Sequence, residues 1–352
     1  MVLSPTRLLI LSKLLPKIKK VMNNNNLKNK NFKLSILIPT YNRSKHLEKC
    51  LQSIFEQVLQ SVNYINNIEI LVSDNCSEDT TQEVLEKYSS NKFINFRFWK
   101  NTKNLGFDRS VYKLICESSG QFCWIFGDDE FLVNNGLESV FSILDEKKYL
   151  GHLYINNKSH LNIQKTIRSS AKMIHEINFM ISFITANIFN KKLINWSTDY
   201  ESFMGLNLIQ EVFYFQAILS SKENIILHKK IFDTERALNI GGYSLFKTFG
   251  ENQNIIFNYF RSKGLQSNSI NYINKQMLKS YFPLWIYSKR SGFLINKFEY
   301  ENILDAMKPA FGKYKYFWIY CYPIIKLPLP VASVYCVAIK ILNKINNFKN
   351  LK

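Results

Sequence analysis

The sequence predicts an α/β protein whose main domain is a doubly wound sheet flanked by helices. Short apolar runs alternate with helical patterns between residues 32 and 150, and each run ends in a polar loop. The 352 residues are enough for about two domains. Because ligands bind beyond the carboxyl ends of the strands in such sheets, the polar loops predict a site at one edge.

Each predicted element follows from its own pattern of apolar residues. Residues 34–38 form an apolar run that ends at Pro39, as a buried strand does, and apolar residues then recur at helical spacing from Leu47 to Val58. The later strands are predicted at 68–72, 93–99, 121–126 and 182–190, and the later helices around 84–88, 111–115 and 212–219.

The charge of the chain favours an anionic partner. Lysine and arginine number 46 against 27 aspartates and glutamates, so the formal net charge is +19. Nucleic acid, anionic lipid and a phosphorylated substrate would all fit this charge, and a bias of composition toward lysine and asparagine could explain part of it. Because the lysines are spread along the chain and no nucleic-acid-binding motif occurs, we expect no nucleic-acid partner.

The two ends of the chain predict regions outside the main domain. Residues 1–31 form a basic amphipathic segment, and residues 256–352 are helical and basic with an apolar stretch that lysine and prolines interrupt. Both could lie on a membrane surface or pack as ordinary helices. The main domain is expected at 32–255, with a first half at 32–150 and a second half at 151–255.

Adjacent acids at a predicted strand end are the most suggestive feature of the sequence. Asp128 and Asp129 follow the run at 121–126. Two neighbouring carboxylates repel each other unless a cation is close, and their oxygens suit Mg²⁺ or Mn²⁺. A solvated acidic turn is the alternative.

Other polar residues follow the neighbouring strands. Asp74 could accept a hydrogen bond from a nucleobase or a ribose hydroxyl, or could cap a turn. Arg109 could pair with a diphosphate or form a surface salt bridge, and Tyr41 could stack on a base or pack. No glycine-rich dinucleotide or P-loop motif occurs, which argues against dehydrogenases and P-loop enzymes.

Four sequence blocks resemble family 2 glycosyltransferases of the GT-A fold, in the subgroup of abequosyltransferase-like enzymes of bacterial surface-polysaccharide assembly. The blocks are SILIPTYNR at 35–43, EILVSDNCSEDTT at 69–81, NLGFDR at 104–109 and WIFGDD at 124–129. The resemblance implies a GT-A mixed sheet with a helical C-terminal extension, and it implies that 32–150 is a nucleotide-sugar-binding half and 151–255 an acceptor half. It also implies inverting transfer of a sugar from a nucleoside-diphosphate sugar with Mg²⁺ or Mn²⁺.

The resemblance also implies roles for individual residues. Phe126 and Ser73 stand where many members of the family have acids, so the choice of metal ligand stays open. The implied nucleotide-sugar-binding residues are Pro39, Tyr41, Arg43, Asp74, Arg109 and Asp128, and the implied metal ligands are Asp129 and Asp128.

An inverting transfer needs a general base for the acceptor hydroxyl. Glu211 lies where the family has an acid before a helix, and we predict that it is the catalytic base. It could instead be a charge in the first turn of a helix, and Asp199 and Glu201 are the other candidates.

The predicted function is a cytoplasmic glycosyltransferase, peripheral on the inner face of the cytoplasmic membrane, in O-antigen, capsule or other surface-polysaccharide synthesis. The expected acceptor is a saccharide linked to polyprenyl diphosphate, and the basic ends are expected to bind an anionic membrane surface. The alternatives are an inactive GT-A scaffold protein and a nucleotidyltransferase, which uses similar carboxylates but releases pyrophosphate.

Overall fold

A computed structural model describes residues 31–159, 161–235, 242–292, 298 and 301–349. The basic N-terminal segment therefore lies outside the described residues, and so does most of the stretch 236–243. Within the described residues the chain divides by its contacts into two units.

The strands of the first unit form one large sheet and one small sheet. The large sheet has the order β3-β2-β1-β4-β8-β6-β9-β7, and β5 pairs with β10. The strands are β1 (Leu34–Thr40), β2 (Ile68–Asp74), β3 (Asn95–Lys100), β4 (Phe122–Ile125), β5 (Glu130–Leu132), β6 (Leu150–Ile155), β7 (Ile163–Ile167), β8 (Asn187–Asn190), β9 (Glu223–His228) and β10 (Phe232–Thr234).

The helices alternate with these strands and then continue alone to the C-terminal end of the described chain. In chain order they are α1 (Ser44–Val58), α2 (Val62–Asn67), α3 (Thr81–Ser89), α4 (Phe107–Glu117), α5 (Gly136–Glu146), α6 (Ser170–Ile177), α7 (Ile209–Ser220), α8 (Leu245–Lys247), α9 (Gln253–Arg261), α10 (Ser267–Gln276), α11 (Phe282–Arg290), α12 (Ile303–Phe311), α13 (Tyr322–Lys326) and α14 (Leu329–Lys349).

The large sheet is mixed, as a GT-A fold requires. β1 pairs in parallel with β2 and β4, and β2 pairs in parallel with β3. The direction changes at β8, which is antiparallel to both β4 and β6. Helices pack on both faces of the sheet at β1 and β2, so the side chains of these strands are almost wholly buried, which explains why both read as continuous apolar runs.

The predicted strand over residues 182–190 is wrong in its first half. Only Asn187–Asn190 is strand, and a 3₁₀ turn occupies Ile184–Ala186. The cause lies in Thr185, whose carbonyl accepts a hydrogen bond from the Trp124 indole (2.8 Å) and whose hydroxyl accepts one from the Gly127 amide (2.9 Å). These two bonds replace those that a strand would make with its neighbours.

The second unit is helical. It contains residues 171–182, 206–208 and the described part of 238–352. One-turn π-helices at Thr248–Asn252, Met277–Tyr281 and Phe317–Cys321 interrupt its α-helices. Residues 242–255 thus group with the C-terminal region, so this division does not coincide with the predicted boundary at 255. No described helix is long and apolar enough to cross a membrane.

Candidate active site

The carboxyl ends of β1, β2 and β4 lie side by side and bring the predicted polar residues to one edge. Thr40, the last residue of β1, is opposite Asp74 in the ladder with β2. Its hydroxyl donates a 2.7 Å hydrogen bond to Oδ2 of Asp128, which lies beyond the end of β4. Three successive strand ends are therefore joined by direct contacts.

Arg43 provides the positive charge at this edge. Its Nη1 lies 2.8 Å from Oδ1 of Asp128 and 3.9 Å from Oδ2 of Asp129. Asp128 is 3% exposed, and with Thr40 and Arg43 both of its oxygens have partners. Burial and the adjacent Asp128 raise the pKa of Asp129, while Arg43 opposes the rise.

Asp74 presents an acceptor that the described residues do not use. Its side chain is fully buried, and Oδ1 accepts a hydrogen bond from the Ser77 amide at 2.9 Å. Oδ2 is buried without a hydrogen-bond partner in the described part of the chain. Because a buried carboxylate oxygen is costly without a donor, this atom suits a ligand N–H or hydroxyl.

The loops around Asp74 are fixed by amide side chains. Asn75 donates to Asn104 at 2.6 Å and accepts from the Leu105 amide at 2.8 Å. Asn42 has a φ of 53°, and its backbone N–H donates a hydrogen bond to the Ser77 hydroxyl at 2.8 Å. The loops after β1, β2 and β3 therefore meet, as the alternation of strands and helices predicts.

Pro39 and Tyr41 flank the end of β1. Pro39 is half-buried and lies opposite Ser73 in the sheet. Tyr41 is 42% exposed, so a ring face is accessible beside the strand ends. This position is compatible with stacking on a planar ligand, which is one of the two alternatives that the sequence left open.

Arg109 has a different partner from the one that a diphosphate site suggests. It lies in the first turn of α4, and its guanidinium donates two hydrogen bonds to Glu201, at 3.0 and 2.7 Å. Both side chains are largely exposed. Within the described residues, the structure thus joins Arg109 to Glu201 and not to Asp74, Asp128 or Asp129.

Glu211 lies in the first turn of α7 and is fully buried. Asp108 accepts a 3.0 Å hydrogen bond from the Ile209 amide and so fixes the start of this helix. One turn beyond Glu211, the Tyr214 hydroxyl donates to the Ile184 carbonyl at 3.2 Å. Ile184 adjoins Thr185, whose hydroxyl accepts a hydrogen bond from the Gly127 amide next to Asp128, so these bonds tie α7 to the loop that carries the paired acids.

The other two candidate bases differ from Glu211 in burial. Asp199 is exposed, and Glu201 is exposed and paired with Arg109. A complete loss of solvent contact is unusual for a simple charge in the first turn of a helix, because burial of a carboxylate is costly.

Sequence reasoning missed several residues that shape the site. Thr40 and Thr185 orient Asp128 and Gly127, and Asp108 caps α7. Glu130 is 3% exposed, and burial raises its pKa to about 8, with Asp129 adding to the rise. The sequence could have indicated Thr40, because this residue lies next to Tyr41 at the end of a predicted strand. Nothing in the sequence indicates a role for Thr185.

The two aspartates fit a metal ion that is also bound by the substrate better than a metal site whose ligands all come from the protein. The described residues hold no group of three or more His, Cys, Asp or Glu side chains that could bind an ion. Mg²⁺ commonly takes one or two carboxylates and fills its other positions with water and substrate phosphates. Since Asp128 is engaged by Thr40 and Arg43, the Asp129 carboxylate is the ligand that the geometry leaves available.

Comparisons with known proteins show which family and which fold the chain resembles. Residues 35–207 match the family described as Glycosyl transferase family 2. The abequosyltransferase RfbV of Salmonella typhimurium is 36% identical over 114 residues, which are 32% of this chain and 33% of that protein. The GalNAc(5)-diNAcBac-PP-undecaprenol beta-1,3-glucosyltransferase of Campylobacter jejuni is 27% identical over 190 residues, which are 49% and 56% of the two chains.

These matches leave much of each relative uncovered, since the chain spans between a third and just over half of the length of these two curated proteins. A solved structure of S. aureus TarS 1–349 with UDP-GlcNAc superimposes with a TM-score of 0.57 at 17% identity, over 88% of this chain and 89% of that chain. This likeness concerns the fold. All four motifs therefore lie within residues 35–207, the stretch that matches glycosyl transferase family 2, and the fold to which this stretch contributes is of the GT-A type.

Proposed function

We propose that the chain is an inverting glycosyltransferase that moves a sugar from a nucleoside-diphosphate sugar to a saccharide acceptor. The observation that carries the proposal is the site at the ends of β1, β2 and β4. There an arginine and two aspartates lie beside a buried aspartate oxygen that has no donor among the described residues. The family of residues 35–207 supports the same reaction class.

The donor nucleotide is assigned to the side of the site formed by β1 and β2. Asp74 Oδ2 would accept a hydrogen bond from the nucleobase or the ribose, while Tyr41 and Pro39 would line the base. Arg43 would contact the diphosphate while it also holds Asp128 in place. Arg109 could join it only by giving up part of its pairing with Glu201, so its contribution is expected to be smaller.

A divalent cation is assigned to Asp129, with the donor diphosphate as its other anionic ligand. Asp128 serves to orient Arg43 and to contact the sugar or ribose. When bound, Mg²⁺ or Mn²⁺ would stabilise the negative charge that develops on the leaving diphosphate.

Glu211 is assigned as the general base. It would take the proton from the acceptor hydroxyl as the oxygen attacks the anomeric carbon, and the nucleoside diphosphate would leave from the opposite face, so the configuration inverts. Because Glu211 is fully buried, neighbouring side chains must move to admit the hydroxyl.

The acceptor is proposed to be a lipid-linked saccharide of surface-polysaccharide synthesis, which would place the protein on the inner face of the cytoplasmic membrane. The name of the Campylobacter relative includes an undecaprenol diphosphate carrier, and that of the Salmonella relative denotes a sugar transferase. The net charge of +19 suits an anionic lipid surface and a diphosphate.

A donor screen tests the reaction class. The purified protein is incubated with Mg²⁺ or Mn²⁺, a panel of nucleotide sugars and a soluble saccharide acceptor, and the release of nucleoside diphosphate is measured. We expect one donor to give metal-dependent release that Asp129→Asn abolishes. Pyrophosphate release would indicate the nucleotidyltransferase, and failure to bind any nucleotide would indicate the scaffold.

Variants of the three candidate acids test the base. Glu211→Gln should lower kcat by about 100-fold or more and leave the KM of the donor nearly unchanged, because a general base acts in the transition state. Asp199→Asn and Glu201→Gln should retain kcat. A normal kcat for a folded Glu211→Gln protein would refute the assignment.

A further inference from the structure

One face of α14 is apolar and uncovered in the helical second unit. Ala332, Cys336 and Ile339 are nearly fully buried and hold the helix to its neighbours. On the other side Val331, Val334, Val337 and Ile341 are between 50% and 70% exposed. At 100° per residue these four lie within a 120° arc, so they form one continuous apolar stripe.

The apolar surface continues onto the π-helical segment Phe317–Cys321. Ile319 is 50% exposed and Trp318 is 42% exposed. The Tyr335 hydroxyl donates a 2.6 Å hydrogen bond to the Ile319 carbonyl, which fixes this segment against α14. We call the exposed side chains Trp318, Ile319, Val331, Val334, Val337 and Ile341 the apolar face.

The chain around the apolar face is strongly basic. Residues 306–352 contain eight lysines and no aspartate or glutamate, so this stretch has a formal charge of +8. Lys315, Lys326 and Lys340 are exposed. An apolar surface with aromatic residues and surrounding lysines matches the interface of an anionic bilayer, where apolar side chains enter the acyl boundary and lysines meet the headgroups.

The charge argues against a second copy of the chain as the occupant. A dimer through this face would bring two regions of charge +8 together, and they would repel each other. Anionic lipid would instead neutralise the charge of a single region. The described part of α14 does not qualify as a membrane span, so the helix is suited to lie along the surface. We propose that the apolar face docks the protein on an anionic lipid membrane, an inference that rests on the proposed function with a lipid-linked acceptor.

Vesicle flotation with the full chain tests the proposal. Wild type should float with vesicles of phosphatidylcholine and phosphatidylglycerol, bind phosphatidylcholine alone weakly, and lose binding at high salt because the lysine attraction is screened. Val334→Asp with Ile341→Asp should lower the partition coefficient by about tenfold or more, since two charges would enter the apolar boundary.

A matched variant controls for the added charge. Leu161 and Ile163 are 66% and 50% exposed in the first unit, so Leu161→Asp with Ile163→Asp makes the same change elsewhere and should float as wild type does. Circular dichroism and thermal melts verify that both double variants are folded. Quenching of tryptophan by brominated lipid gives a second measure, and Trp318→Phe should reduce it.

The result that overturns the proposal is vesicle binding by the Val334→Asp, Ile341→Asp protein equal to that of wild type. Concentration-dependent dimerisation that this variant abolishes would also overturn it, in favour of a second copy. Transfer to a soluble acceptor is measured in parallel. Transfer without vesicle binding would refute the docking proposal alone, and vesicle binding without transfer would refute only the proposed function.

Discussion

Replacing Arg43 by methionine should destabilise the protein, because two acids would lose the cation that now neutralises them. The guanidinium lies 2.8 Å from Asp128 and 3.9 Å from Asp129, and the side chains of Arg43 and Asp128 are 23% and 4% exposed. The variant keeps the aliphatic length of the side chain but leaves two adjacent, mostly buried carboxylates without their cation.

The expected loss follows from the burial of the pair. Removing one partner of a fully buried ion pair costs about 3–5 kcal/mol. Because water reaches part of Arg43, and because the Thr40 hydroxyl remains bonded to Asp128, we expect about 2–3 kcal/mol in the free energy of unfolding. Asp128→Asn in the Arg43→Met background should recover at least half of this loss, since it removes the more buried of the two charges.

Urea unfolding followed by tryptophan fluorescence measures these changes for wild type, both single variants and the double variant. Arg109→Met is the matched control, because its pair with Glu201 is exposed and should contribute nothing measurable. The reasoning is refuted if Arg43→Met is as stable as wild type, or if the double variant is no more stable than Arg43→Met.

Three further predictions concern the first unit and use the same unfolding assay. Burial lowers the pKa of His152 from 6.5 to about 3, so the unfolded chain binds a proton that the folded chain does not. This group should therefore lower stability on acidification from pH 6.5 toward 3, by about 1.4 kcal/mol per pH unit, and His152→Gln should flatten that slope. Glu69→Gln should cost about 1–3 kcal/mol, because the buried carboxylate accepts bonds from the Ser35 hydroxyl and the Gly120 amide. Gly120→Ala should cost about 1–3 kcal/mol, because its Cβ would lie 2.3 Å from the Ser35 hydroxyl. If the Glu69→Gln or the Gly120→Ala protein is as stable as wild type, the contact from which its loss was derived does not stabilise the fold.

The sequence predicted well those strands and helices whose pattern of buried side chains is visible within their own residues. Helices cover both faces of the sheet at β1 and β2, so nearly every side chain is buried and the run of apolar residues is unbroken. α1 buries one stripe, from Leu47 to Val58, and this stripe has helical spacing. In both cases a local pattern carries the whole signal.

The features that the sequence did not indicate depend on distant partners. The strand predicted from residue 182 is shortened because Thr185 is bonded to Trp124 and Gly127, about sixty residues earlier in the chain. The pairing of Arg109 with Glu201 spans 92 residues, and nothing near Arg109 in the sequence indicates it. Likewise, β7 pairs only at the edge of the sheet, beside β9, and has mostly exposed side chains, so it lacks an apolar run.

The two acids at residues 128 and 129 show how neighbours with the same side chain acquire different chemistry. The sequence could not distinguish them, because both follow the same strand and both resemble the acidic motif of the family. In the structure Thr40 and Arg43 engage both oxygens of Asp128, whereas Asp129 stays further from the arginine. Burial and the neighbouring charge raise the pKa of Asp129, and a divalent cation beside it would favour its ionised form. The difference between the two carboxylates thus arises from Thr40 in β1 and from Arg43 just before α1, and it is the reason why we propose Asp129 as the metal ligand and Asp128 as the residue that orients the arginine.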